Sequence, residues 1–245
     1  MGPSLAGERP KGVLFDLDNT LYDREAAFGR WLVWFLDAIL KLENTEERAA
    51  LTSEVVAMDA QGYGSKQAIF QALHQRYPAL PGESSTSVAM FYDQFFTHMR
   101  VEPETRTLLT ALRNAQIPYG IVTNGSQMQS RKIDEMGLAG GAVCVLVSGL
   151  VGSKKPDPAI FELAARQINL PPSEILFVGD HPRNDIWGAR EAGMRTAWLH
   201  RGNPWPAEDC GPPPDITLDR IEDLIGVLGL DQYQVPSVLG SELAP

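Results

Sequence analysis

Four aspartates stand where short apolar runs end, and their placement defines the chemistry open to this chain. Asp16 and Asp18 follow the run Gly12–Phe15, in the sequence Asp16-Leu17-Asp18-Asn19-Thr20-Leu21. Asp180 and Asp185 follow the run Ile175–Val178, in Gly179-Asp180-His181-Pro182-Arg183-Asn184-Asp185. Carboxylates gathered on one rim repel and raise one another's pKa, and a divalent cation relieves that repulsion. An all-oxygen set with room for water suits Mg²⁺, which takes one or two carboxylates plus substrate phosphate in preference to a full protein cage. No Cys/His spacing suits zinc. The histidines His74, His98, His181 and His200 are scattered, and only His181 lies near the rim, where it reads as a turn residue. Thr123 and Asn124 close another apolar run, and Lys155, in Ser153-Lys154-Lys155-Pro156-Asp157, could reach the same edge.

These residues need elements to position them. The runs Gly12–Phe15, Ile117–Thr123, Ala142–Ser148, Ile175–Val178 and Arg195–Leu199 are short, rich in β-branched or aromatic residues, and lack strict polar alternation. Buried parallel strands read this way. Helix-length segments separate them: Pro103–Ala115, Gln127–Met136, Pro158–Gln167 and Asn184–Ala192, with Gly137 and Gly193 as stops. Strand and helix alternate, which predicts a doubly wound α/β parallel sheet, and ligands bind such sheets outside the carboxyl ends of the strands. Between Asp23 and Arg100 the rhythm breaks and only helical patterns occur, over Glu25–Leu42, Glu46–Met58, Ser65–Arg76 and Ser87–His98. The expected organisation is an α/β core from 1–22 and 101–230 and a helical insertion over 23–100, standing above the end of the first strand. A tail without periodicity, 231–245, is expected to fray.

Composition sets the outer bounds. The chain has 245 residues, 44% of them hydrophobic and 21% charged, as expected of a globular protein. A formal net charge of -10 gives no general attraction to nucleic acid or an anionic membrane. Cys144 lies in an apolar run and Cys210 in a Pro/Gly-rich stretch, which is no disulfide framework. The first residues lack the apolar core of a signal peptide, and no segment has the apolar length of a membrane span. A cytoplasmic location is therefore expected.

The motifs, taken in order, resemble those of the haloacid dehalogenase superfamily. Asp16-Leu17-Asp18-Asn19-Thr20 resembles its first motif, DxDxT, and Thr123 in Val122-Thr123-Asn124-Gly125 its second. Lys155 in Lys155-Pro156-Asp157-Pro158 resembles the third, and Gly179 to Asp185 the fourth. The resemblance implies a Rossmann-like core, with the helical insertion as a C1-type cap. It implies that Asp16 attacks phosphorus to form an aspartyl-phosphate, and that Asp18 protonates the leaving oxygen and then deprotonates the attacking water. Mg²⁺ would be held by Asp16, the backbone carbonyl of Asp18 and Asp180, with Asp185 bonding directly, through water, or to Lys155. Thr123 and the backbone around Asn124 would bind phosphate oxygens, and Lys155 would neutralise their charge. Because these motif residues sit at strand ends, Asp18 can share the rim with Asp16 only if the chain leaves the strand there.

The chain is thus expected to be a Mg²⁺-dependent phosphatase acting on a small phosphorylated metabolite such as a nucleotide, flavin precursor or sugar phosphate. Within the superfamily the competing readings are a 2-haloacid dehalogenase, against which Asp18 argues, and a phosphonatase, which needs a Schiff-base lysine in the cap. A phosphate-ligand binding module without catalysis would be expected to have lost motif residues. In the insertion, Trp31, Trp34 and Phe35 read as core, and Asp23 as a helix cap or a substrate contact. Tyr63 and Lys66, in the glycine-rich stretch Asp59 to Lys66, could read the leaving group or could belong to a surface turn.

Overall fold

The computed structural model describes residues 8–233, in two compact units: Asp23–Arg100, and the remainder of the described residues. The larger unit is built on six parallel strands: β1 (Gly12–Phe15), β2 (Tyr119–Thr123), β3 (Cys144–Val147), β4 (Ile175–Gly179), β5 (Arg195–Leu199) and β6 (Ile216–Leu218). Their order across the sheet is β3-β2-β1-β4-β5-β6. The chain winds outward from β1 through β2 to β3, then returns to place β4 on the other side of β1. The topological switch therefore lies between β1 and β4, where the crevice of such a sheet opens. Every residue of β1, β2 and β4 is buried, which explains their unbroken apolar character.

β6 was not among the expected strands. It is a three-residue edge strand with only Ile216 and Leu218 buried, too short for periodicity to reveal it. Flanking helices cover the sheet. Leu14, Val122 and Phe177 pack with Ile160, Phe161, Ala164 and Ile168 of the helix Pro158–Ile168, where Phe161 meets Phe177 edge-on at 5.0 Å. The segment expected as a helix over Asn184–Ala192 is wound as a π-turn over Pro182–Trp187 before Gly188–Glu191 becomes α-helical. Asp231–Tyr233, expected within the frayed tail, forms a 3₁₀ turn, and the Tyr233 carbonyl accepts from Asn114 Nδ2 at 2.9 Å. The rest of that tail lies outside the described residues. Among the described residues no helix is long and apolar enough to cross a membrane.

The smaller unit holds α1 (Arg24–Trp34), α2 (Thr45–Asp59), α3 (Lys66–Arg76) and α4 (Ser84–His98). Asp23, Asn44 and Ser65 cap the first three, each side chain accepting a backbone N–H three residues on. The Glu25–Leu42 helix expected from the pattern turns α-helical only to Trp34, then passes into a π-turn over Phe35–Ile39. Its apolar stripe builds an aromatic core, in which Trp31 stands edge-on to Phe91 at 4.7 Å and stacks on Phe35 at 5.3 Å.

Candidate active site

Asp16 is placed by continuation of the sheet. Its backbone N–H donates to the Val178 carbonyl at 2.9 Å, which carries the β1–β4 pairing one residue past β1 and aligns it with the end of β4. The chain then leaves the strand in a tight turn. The N–H groups of Thr20 and Leu21 both return to the Leu17 carbonyl, and Asn19 adopts the left-handed conformation with φ 60° that Asn tolerates. This turn is what allows Asp16 and Asp18 to share one rim. At β4, Gly179 has no room for a β-carbon, because one built there would lie 2.4 Å from Asp185 Oδ2. Asp185, in the π-turn, thereby folds back against the strand end and accepts the His181 N–H at 2.9 Å. His181 is the turn residue expected: its Nδ1 accepts the N–H groups of Arg183 and Asn184.

Carboxylate oxygens of Asp16, Asp180 and Asp185 all lie within 4.8 Å of one another. Lys155 closes the set, its Nζ 2.5 Å from Asp16 Oδ1 and 2.7 Å from Asp185 Oδ1. Lys154, one residue earlier, is exposed. Burial is the main cause that pushes the Asp16 carboxyl up to about 7; Lys155 opposes it, and Asp185 and Asp18 add to it. Asp180 is likewise raised well above the usual carboxylate range, by burial and then by Asp16 and Asp185. For Lys155, burial disfavours the charged form, but the two aspartates outweigh it and hold the amine protonated. With all three carboxylates ionised, one ammonium would leave two negative charges uncompensated, a state that burial and mutual repulsion resist, and all the donors are oxygen. This set fits a hard divalent cation such as Mg²⁺.

Asp18 does not join this cluster through its carboxylate, contrary to the expectation of four converging carboxylates. It has its own partners, none of them foreseen: Tyr22 Oη and Lys132 Nζ donate to Oδ1 at 2.5 and 2.6 Å, and Gln129 Nε2 donates to Oδ2 at 2.6 Å. Burial alone would raise its pKa, but Lys132 and these hydrogen bonds prevail and hold it down to about 2. The signal available was slight: Gln129 and Lys132 stand i, i+3 in the helix Met128–Glu135 that follows Asn124-Gly125, and both are buried.

Thr123 ends β2 fully buried, and its hydroxyl accepts from Gln129 Nε2 at 2.7 Å. The Asn124 side chain has a task of its own, beside the phosphate contact expected of its backbone. Its side-chain amide donates to the Lys155 carbonyl at 2.8 Å and accepts the Lys155 N–H at 2.9 Å, which clamps the lysine loop to the end of β2. Only its backbone is left for a ligand. In the helical unit, Tyr63 is exposed and Lys66 is almost buried, 2.6 Å from Asp59, which also takes a bidentate pair from Arg24. An ammonium neutralised in this way is not the free amine that a Schiff base requires.

Comparison with known proteins identifies the family. Residues 10–193 match the family described as haloacid dehalogenase-like hydrolase. A glyceraldehyde 3-phosphate phosphatase from Methanopyrus kandleri is 31% identical over 228 residues, covering 89% of this chain and 97% of the relative. A 2-haloacid dehalogenase structure from Pseudomonas syringae pv. Tomato superposes with a TM-score of 0.53 at 27% identity, over 89% of this chain and 97% of that one. The magnesium-bound HAD-hydrolase YfnB of Bacillus subtilis reaches a TM-score of 0.70 at 20% identity, over 90% and 99% of the two chains, and so shares the fold. With its parallel sheet, its motifs gathered at the β1–β4 switch and a family match across most of its length, the chain belongs to the haloacid dehalogenase-like hydrolases.

Proposed function

We propose that this chain is a Mg²⁺-dependent phosphatase that works through an aspartyl-phosphate on Asp16. The observation that carries the reading is the separation of two acidic functions on one rim. Asp16 stands with Asp180, Asp185 and Lys155, whereas Asp18 stands apart on Tyr22, Gln129 and Lys132. Asp16, Asp180, Asp185 and the Asp18 carbonyl would hold Mg²⁺, which when bound screens the carboxylates and draws charge from the phosphate. Asp16 attacks phosphorus as the ester P–O bond breaks; Asp18, ionised in the resting site, takes up a proton from the bound phosphate monoanion and passes it to the leaving oxygen. Asp18 then takes a proton from the water that attacks the aspartyl-phosphate, so that inorganic phosphate leaves and Asp16 is restored. The Thr123 hydroxyl and the backbone at Asn124 hold the non-bridging oxygens, and Lys155 balances the charge that spreads over them.

The substrate class we infer is a small phosphorylated metabolite: a nucleotide, a flavin precursor or a sugar phosphate. The names of the relatives, which include glyceraldehyde 3-phosphate phosphatase, phosphoserine phosphatase and phosphoglycolate phosphatase, favour substrates of two or three carbons as the first to screen. Helices α1–α4 are read as the cap that selects among them. A dehalogenase has no use for the acid that Asp18 supplies.

Hydrolysis of p-nitrophenyl phosphate tests the reading: turnover with Mg²⁺ and none with EDTA is expected, and equal turnover in both overturns it. Metal binding has a separate readout in thermal unfolding. At about 100 times its Kd, Mg²⁺ adds roughly 2.7 kcal/mol, or several degrees of Tm in a chain of this size, at about 2–4 °C per kcal/mol. The carboxyl of Asp16 is raised to about 7, so cation binding must displace a proton below that pH. The Tm gain is therefore larger at pH 8 than at pH 6, and an Asp180→Asn variant loses most of it.

A further inference from the structure

We propose that Tyr22, Gln129 and Lys132 form a positioning set that fixes which oxygen of Asp18 handles the proton; the inference rests on the phosphatase reading above. A carboxylate offers about four lone-pair directions. Tyr22 Oη at 2.5 Å and Lys132 Nζ at 2.6 Å both donate to Oδ1. That oxygen is saturated. Oδ2 accepts once, from Gln129 Nε2 at 2.6 Å, and keeps the open direction. The proton that passes to the leaving oxygen as its P–O bond breaks, and the proton later taken from water, both travel through Oδ2.

The same amide ties this oxygen to the phosphate clamp. Gln129 Nε2 carries two hydrogens, and it donates to Asp18 Oδ2 and to Thr123 Oγ1, the latter at 2.7 Å. Because the Thr123 hydroxyl accepts from Gln129, its own proton points away from Gln129 and is the one available to a phosphate oxygen. Gln129 itself is held by the turn at Gly125, whose φ of 150° and lack of a side chain let the glutamine pass; a β-carbon there would lie 2.6 Å from Gln129 Cγ. Lys132 also spans the Tyr22 ring, with Nζ 5.9 Å from its centroid, so both donors to Oδ1 brace each other. All three residues are buried. Their bonds end on the Asp18 carboxylate, whereas Asp16 and Asp185 are bridged by Lys155, so the set bears on proton transfer and not on the cation.

Leaving groups separate this role from a structural one. p-Nitrophenolate departs without a proton, whereas the alkoxide of β-glycerophosphate needs one, and kcat/KM reports steps up to departure of the alcohol. For Lys132→Met, with Mg²⁺ present, kcat/KM should fall by about 30-fold on β-glycerophosphate and by less than about 3-fold on p-nitrophenyl phosphate, within the range of a general acid's contribution. Tyr22→Phe removes one hydroxyl from a packed ring and should show the same bias at smaller amplitude, about 5-fold against 1–2-fold. It reports on the set even where Lys132→Met fails to fold. Equal losses on the two esters in Tyr22→Phe, or no loss, overturn the positioning role while leaving the phosphatase reading intact. Wild-type enzyme that turns over neither ester overturns both.

Discussion

Asp16→Asn should abolish phosphatase turnover, with kcat falling on the order of 10⁴-fold or more, because the covalent route has no other nucleophile. The substitution also removes a cation ligand, and the two losses can be told apart. Asp180→Asn weakens the same cluster but keeps the attacking oxygen, so its activity should recover in part as Mg²⁺ is raised. Asp16→Asn should not recover at any Mg²⁺ concentration. Stability gives an independent sign. Burial raises the Asp16 carboxyl to about 7, so the folded state disfavours its ionised form. In EDTA this carboxyl lowers stability progressively as pH rises from about 4 to about 7, because the unfolded chain releases the proton first. The neutral amide has no such slope. Asp16→Asn should therefore melt above wild type at pH 8 in EDTA, and the gap should close towards pH 5. A variant that is less stable than wild type at pH 8 and retains activity would contradict the account.

Lys155→Met carries the second large effect, on both activity and folding. The ammonium is buried between Asp16 and Asp185, at 2.5 and 2.7 Å. Removing one partner of a buried ion pair costs about 3–5 kcal/mol, since the remaining charges are left without compensation. In EDTA we expect a urea-unfolding loss of about 3 kcal/mol, and Mg²⁺ should return part of it by taking up the same two carboxylates. Turnover should fall about 10³-fold even with Mg²⁺ saturating, because the charge on the phosphate oxygens loses its counter-ion. Lys155→Arg should not rescue, as the larger planar guanidinium must fit a buried position where Nζ lies 2.5 Å from Asp16 and 2.7 Å from Asp185. Lys154→Met, at an exposed position one residue earlier, should change stability by less than about 0.5 kcal/mol.

How far the sequence could be read depended on whether a feature was local. β1, β2 and β4 declare themselves as apolar runs because all-buried parallel strands have no polar face to hide. Asp16, Asp180 and Lys155 are found from them, since a strand end in such a sheet is where ligands bind. β6 escaped because three residues carry no period, and the π-turn at Pro182 escaped because its pattern over six residues resembles an α-helix. The partners of Asp18 were hidden for a different reason. Gln129 and Lys132 lie 111 and 114 residues away in the chain and meet Asp18 only because β1 and β2 are neighbours in the sheet. Asn124 stands at the strand end where its motif places it, but its side chain bonds the lysine loop, a contact set by the β2 end and invisible to spacing. Lys66 shows the converse: a charge in a glycine-rich segment suggested a ligand contact, yet the fold of the helical unit pairs it with Asp59.

The most direct measurement is identification of the phosphorylated residue. Enzyme mixed with radiolabelled phosphate ester and Mg²⁺, quenched in acid within the first turnovers and digested, should carry label on the peptide that contains Asp16. The label should be acid-stable and lost to hydroxylamine, as an acyl phosphate is. It should be absent in Asp16→Asn and accumulate in Asp18→Asn, which lacks the base for the second step. Label on another residue, or steady turnover in Asp18→Asn with no covalent label on Asp16, would contradict the account.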